Sequence, residues 1–176
     1  MEPERHPHIY FAYGSNLNTH DMKLRAPDSY PICAATLPDY RLTFTSVLTV
    51  ERMPGEHVVG GLFYTSAGDT LLLDRYEGYP TFYEKRFTHV KIQGKREYVY
   101  FYAIPESNVR PSPPWGGYYE TCAEGYRDFG LDIKELEAAR SRALSLVKLA
   151  PLEDIAYIEI PDELDLAADL AWTPRG

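Results

Sequence analysis

Two short segments carry residue types that could act on a small anionic substrate. The first is Tyr13-Gly14-Ser15-Asn16, which ends the apolar run Ile9-Tyr10-Phe11-Ala12-Tyr13. A glycine-containing turn between a strand and a helix leaves several backbone N–H groups without partners. Such a nest can hold a carboxylate, a phosphate or an oxyanion. The second is Glu77, in Leu73-Asp74-Arg75-Tyr76-Glu77-Gly78-Tyr79, with Tyr76, Tyr79, Phe82 and Tyr83 around it. A carboxylate among aromatic rings is partly desolvated, and this raises its pKa toward that of a useful general base. Both features have plainer readings. Gly, Ser and Asn often do no more than end a strand, and most glutamates are solvated.

Other chemistries fit less well. Ser15 lies in Tyr-Gly-Ser-Asn rather than in a GxSxG elbow. Cys33 and Cys122 have no evident histidine partner, and each reads as a small core residue. No CxxC occurs and no pair of histidines at metal-ligand spacing sits near the cysteines, so no metal site is expected. His20, His57 and His89 stand singly and read as surface residues. Arg86 or Arg127 could pair with a substrate carboxylate, but nothing singles them out. Tyr118, Cys122 and Tyr126 recur at four-residue spacing, a helical stripe that reads first as core packing.

The elements that must position these residues follow from periodicity and breakers. Residues 9–13 read as a buried strand, and Asn18 or Thr19 caps a short helix to about Leu24. Strands are expected at 32–37 and 40–48 around a Pro38-Asp39 turn, then a break at Met53–Glu56 and a strand from Val58 to Thr65. Ser66-Ala67-Gly68-Asp69 reads as a capping box ahead of a helix over 71–76. Residues 82–92 and 97–104 flank a turn around Gln93-Gly94-Lys95 and predict a hairpin. Four prolines in 105–114 predict a loop leading to Trp115-Gly116-Gly117. A helix from Tyr118 closes near Gly130. Asp132 and Glu135 suggest a second capping box before a helix whose apolar face is Leu136, Ala139, Ala143 and Val147. Tyr157–Ile160 could form an edge strand or an extended tail. Strands mostly precede a helical pair, which predicts an α+β domain with a mixed or antiparallel sheet curled toward a barrel and flanked by helices. The missing strand–helix alternation and GxGxxG exclude a doubly wound fold.

The chain has 176 residues, which fits one domain. Its net charge is −8, of which −6 falls in residues 151–176. We therefore expect one domain over 1–150 and an acidic segment over 151–176. The nearly neutral body argues against nucleic acid, because phosphate binding needs clustered Lys and Arg. No apolar run approaches the ~18 residues of a membrane span, and Met1–His8 has no signal-peptide character. A cytoplasmic location, reduced thiols and a small-molecule partner are expected, with self-association as a homodimer left open.

Taken together, these segments resemble the γ-glutamylcyclotransferase-like family. Tyr10-Phe11-Ala12-Tyr13-Gly14-Ser15-Asn16-Leu17 is similar to its N-terminal signature. Leu73-Asp74-Arg75-Tyr76-Glu77-Gly78 resembles its LD-x-x-EG segment, in which the glutamate is the catalytic acid/base. Tyr83 falls where such proteins carry a tyrosine. Pro111-Ser112-Pro113, Tyr118 and Gly125–Leu131 resemble its PSP…Y…GA-x-x-x-GL stretch. The likeness spans about residues 9–145. Trp115-Gly116-Gly117 looks inserted, so Tyr118 is the better match to the family tyrosine and Trp115 the alternative.

The resemblance implies cleavage of a γ-glutamyl amide by internal attack. The substrate's α-amine closes on its own γ-carbonyl, releasing 5-oxoproline and an amine or amino acid, with no cofactor or metal. Glu77 would move the proton. Gly14, Ser15 and Asn16 would hold the substrate carboxylate and oxyanion, and Tyr118 would bind the glutamyl end. Tyr10, Phe11, Ala12, Tyr13 and Tyr83 would complete the binding segment. Two rivals are a cyclotransferase restricted to γ-glutamyl-amines and a binding protein that kept the pocket without turnover.

Overall fold

The computed structural model describes residues 8–149. The acidic segment 151–176, and with it the strand or tail expected at Tyr157–Ile160, lies outside the described residues. Five strands, β1 (Ile9–Ala12), β2 (Tyr30–Thr45), β3 (Val47–Tyr64), β4 (Glu84–Ile92) and β5 (Lys95–Ala103), form one sheet in the order β2-β3-β1-β5-β4. β1 runs antiparallel to β3 and parallel to β5, so the sheet is mixed. It is not closed by hydrogen bonds. Its edges curl together, however, and Cα atoms of β2 and β4 come within 8 Å without a ladder between them. This is the expected α+β architecture. Helices α1 (Thr19–Arg25), α2 (Ala67–Tyr76), α3 (Tyr118–Asp128) and α4 (Lys134–Leu149) flank the sheet.

The strand boundaries differ from expectation at two breakers. Pro38-Asp39 is not a turn and Met53–Glu56 is not a break. They face each other inside one long β2–β3 hairpin, as a bulge between the pairs Pro38↔His57 and Tyr40↔Arg52. Asp39 takes a positive φ of 63°, and its Oδ1 accepts from the Gly55 N–H. The proline, which has no N–H to offer a ladder, thus sits where pairing is interrupted. The true reversal is at Ser46, φ 66°, inside the segment expected to be a continuous strand over 40–48.

Elsewhere local chemistry decides. Gln93 and Gly94 both have positive φ, which suits the tight turn joining β4 to β5. Ser66 and Asp69 form the reciprocal capping box of α2, which begins at Ala67, earlier than expected. The second box does not form. Asp132 caps the Lys134 N–H, while Glu135 turns away to accept from the Val59 N–H. Leu136, Ala139 and Ala143 are buried under α4, but Val147 is exposed. Among the described residues no helix is long and apolar enough to cross a membrane.

Candidate active site

The N-terminal signature is built by β1 and the turn after it. β1 lies in the middle of the sheet, so Phe11 and Ala12 are completely buried and belong to the core; neither lines a cleft. The chain then leaves the sheet through a 3-10 turn at Ser15–Leu17. Here the N–H groups of Gly14, Ser15 and Asn16 have no hydrogen-bond partner among the described residues, whereas Leu17 and Asn18 donate back to Gly14 and Ser15. The first N–H groups of α1 do not extend this donor set. Thr19 N–H donates to Asp128, and Asp21 N–H to the capping Asn18 side chain. The nest is therefore confined to residues 14–16.

Glu77 is placed by the way α2 ends. Gly78, φ 63°, takes the left-handed position after the helix, and Tyr79 N–H reaches back to Asp74 C=O at 2.9 Å. This closure fixes Glu77 as the C-cap residue, with its carboxylate against the 3-10 turn. Asn16 Nδ2 donates to Glu77 Oε1 at 2.7 Å and to the Tyr10 hydroxyl at 2.9 Å. Burial pushes the Glu77 carboxyl up from 4.5 to about 7, against the smaller downward pull of the Asn16 hydrogen bond and of Arg25. The negative end of the α2 dipole is a further disadvantage for charge at this position.

Around these two features lies a cleft lined by Tyr10, Tyr13, Gly14, Ser15, Asn16, Leu48, Glu77, Tyr83, Tyr102 and Tyr118. Its tyrosines are braced. Tyr13 OH donates to Tyr102 C=O at 2.6 Å, and Tyr102 OH to Asp74 Oδ1 at 2.6 Å. Tyr83 OH donates to Leu48 C=O at 2.7 Å, while Leu48 N–H donates to Tyr118 OH at 3.1 Å. Burial raises the hydroxyls of Tyr10, Tyr13, Tyr83 and Tyr118, so these groups stay protonated at neutral pH. Tyr118 rather than Trp115 places its hydroxyl in the cleft. Trp115 is exposed, with its ring beside that of Tyr118 at a centroid distance of 5.9 Å.

Eight of the ten named site residues thus surround one cleft, and Phe11 and Ala12 do not. Leu48, Tyr102 and Arg25 were not singled out from sequence. Alternation at Tyr98, Tyr100 and Tyr102 could have flagged Tyr102 as one of several same-face tyrosines. Arg25, in the last turn of a helix, carries no signal beyond complementing the dipole. None of the other nucleophiles and bases lines the cleft, although the Cys122 thiol lies behind it against the Tyr118 hydroxyl. His20, His57 and His89 are exposed; Arg86 pairs with Glu84; Arg127 is exposed. Burial pushes the Cys122 thiol up to about 12. Among the described residues no three His, Cys, Asp or Glu side chains gather to hold a metal ion.

With this geometry in hand, the profile of the family described as "Gamma-glutamyl cyclotransferase, AIG2-like" matches residues 10–120. The chain belongs to this family. It is 28% identical over 152 residues to a human protein named gamma-glutamylcyclotransferase, a match covering 79% of this chain and 80% of the relative. A mouse protein of the same name is 28% identical over 142 residues, covering 70% and 72%. A solved structure titled "Gamma-glutamyl cyclotransferase" superposes with a TM-score of 0.66 at 27% identity, covering 76% of this chain and 86% of the other.

Proposed function

We propose that this member of the family cleaves γ-glutamyl amides by intramolecular attack and that Glu77 is the general acid/base. The observation that carries the reading is a buried carboxylate with a pKa of about 7 beside three backbone N–H groups that have no partner among the described residues, in one tyrosine-lined cleft. A γ-glutamyl substrate carries an α-carboxylate, an α-ammonium and a γ-carbonyl. The N–H groups of residues 14–16 suit the carboxylate and the oxyanion that develops on the γ-carbonyl oxygen.

The α-ammonium must lose a proton before it can attack, and Glu77 accepts it. The new bond forms between the α-nitrogen and the γ-carbon. The old amide C–N bond then breaks as Glu77 returns the proton to the departing nitrogen. The carboxylate so freed takes the second proton from the ring nitrogen and passes it to the released amine, leaving a lactam N–H, an ammonium product and Glu77 ionised again. The products are 5-oxoproline and a free amine or amino acid. The nucleophile is already tethered to the electrophile, so the residues need only orient the chain into a five-membered ring. Neutral tyrosine hydroxyls around the cleft orient the glutamyl group without adding a competing charge.

The test is 5-oxoproline release from a panel of a γ-glutamyl-α-amino acid, a γ-glutamyl-alkylamine and a γ-glutamyl-ε-lysine. Turnover of the first, abolished in Glu77→Gln, is the expected result. Turnover of only the amine or ε-lysine compounds moves the reading to an amine-specific cyclotransferase. Binding without turnover of any overturns the enzymatic reading. Addition of EDTA is expected to leave the rate unchanged, because no step above needs a Lewis acid.

A further inference from the structure

We propose that Arg25 is a positioning residue for this reaction, fixing the Asn16 amide so that its Nδ2 faces Glu77. This rests on the reading of Glu77 as the base. Arg25 leaves α1 and reaches back over the 3-10 turn. Its Nη1 donates to Asn16 Oδ1 at 2.8 Å and lies 3.3 Å from Ser15 Oγ. Its Nη2 is held by Asp21 at 3.2 Å, and the guanidinium lies 4.2 Å from the centroid of the Tyr76 ring. The side chain is only 18% exposed and is gripped from both sides.

A guanidinium has donors and no acceptor. Whatever atom of Asn16 faces Arg25 must therefore be the oxygen, so the opposite edge of the amide is the nitrogen. Both Nδ2 hydrogens are then committed, one to Glu77 Oε1 and one to Tyr10 OH. Two consequences follow. The Glu77 carboxylate always meets a donor, which favours its basic form. The Tyr10 hydroxyl receives, so its own hydrogen, which has no other partner among the described residues, is left to face a ligand. If the amide were reversed, Asn16 Oδ1 would stand against a carboxylate oxygen, and Glu77 would have to hold its proton to make that contact.

Other groups facing Glu77 do not substitute for this control. Tyr10 of β1, Tyr13 just after it, Tyr83 and Tyr118 are neutral, and Tyr76 lies on α2 beneath Arg25. From β3 only Leu48 lines the cleft, and from β5 only Tyr102, whose hydroxyl is spent on Asp74. Arg25 is the cation that acts on the Glu77 carboxyl, and the nearby Lys85 is paired with Asp74.

The test is the pH profile of kcat/KM for L-γ-glutamyl-L-alanine in wild type, Arg25→Met and Arg25→Lys, with folding checked by circular dichroism. A parallel infrared titration follows the Glu77 carboxyl stretch, identified by subtraction of Glu77→Gln. Arg25→Met is expected to move the acid limb and the infrared midpoint upward together by about one pH unit. Activity then falls about tenfold near pH 6 and recovers to within about threefold above pH 8.5. Arg25→Lys, a donor with shorter reach, falls between, and it serves alone if the methionine variant does not fold. An equal loss at every pH, or an unmoved infrared midpoint, overturns the proposal. The infrared arm needs no turnover, so a protein inactive on the substrate would sink the proposed function while leaving Arg25 still under test.

Discussion

At the scale of single residues, the decisive fact is that Glu77 prefers to be protonated in the fold. Its carboxyl titrates near 7 in the folded protein and near 4.5 when exposed. Between these values the folded state binds more protons than the unfolded, so stability falls as pH rises from about 4.5 to 7. The full cost, roughly 3 kcal/mol at most, is present above 7. Glu77→Gln should therefore raise the melting temperature at pH 8 and leave it nearly unchanged at pH 4, while lowering kcat by about a thousandfold or more. Thermal scans of both proteins at the two pH values check the first half; equal shifts at both would contradict it. Wild-type kcat/KM should climb with pH through about 7 as the base ionises. Asn16 and Glu77 could be read as a pair only from resemblance to a family, since local composition favoured an ordinary turn and a solvated acid. Arg25 could not be read at all. Its role depends on a helix folding back over a turn nine residues earlier, a geometry that no spacing rule encodes.

At the scale of elements, the site depends on how closely α3 approaches the turn. A methyl group on Gly125 would come within 2.5 Å of Asn18 N and of Leu17 C and Cβ. The neighbours there are mostly backbone, which cannot swing aside. Gly125→Ala should destabilise the fold by roughly 1–3 kcal/mol and push residues 15–18 out of place, weakening binding of 5-oxoproline more than the stability loss explains. Gly116→Ala, with nothing within 4 Å, is the matched control and should change neither. Calorimetric unfolding and 5-oxoproline titration of both variants decide the matter.

A similar logic explains which elements were legible in sequence. Capping and turn chemistry at Ser66–Asp69 and Gln93–Gly94 acts within a few residues, and it predicted both features correctly. Pro38-Asp39 and Met53–Glu56 look like independent breakers until β2 and β3 pair. Asp39 then caps Gly55, and two local defects become one shared bulge. The reversal at Ser46 was invisible because Thr45-Ser46-Val47 contains no turn-forming pair. It is held from outside, with Ser46 N–H donating to Ser112 C=O and Trp115 N–H to Ser46 C=O.

At the scale of the whole molecule, the α+β class was legible because the strands precede a C-terminal pair of helices. The strand order was not, since pairing depends on which faces meet across the sheet rather than on any one segment. That order has a consequence for synthesis. β1 is translated before its partners yet ends at the centre of the sheet, with β3 on one side and β5 on the other. On the ribosome this apolar strand must wait. Its antiparallel partner is complete only at Tyr64 and its parallel partner only at Ala103. Meanwhile β2 and β3, adjacent in sequence, can begin to pair before Ser112 and Trp115 arrive to hold their reversal. Vectorial synthesis therefore leaves β1, which carries Tyr10, unpaired on one side until Ala103 has cleared the exit tunnel, and the Gly14 turn beyond it waits longer still, for α3. Nascent chains stalled with Tyr64 just outside the tunnel should remain open to protease around residues 9–13, and those stalled with Ala103 outside should resist. Equal cleavage in the two would mean that the centre of the sheet is assembled by another route.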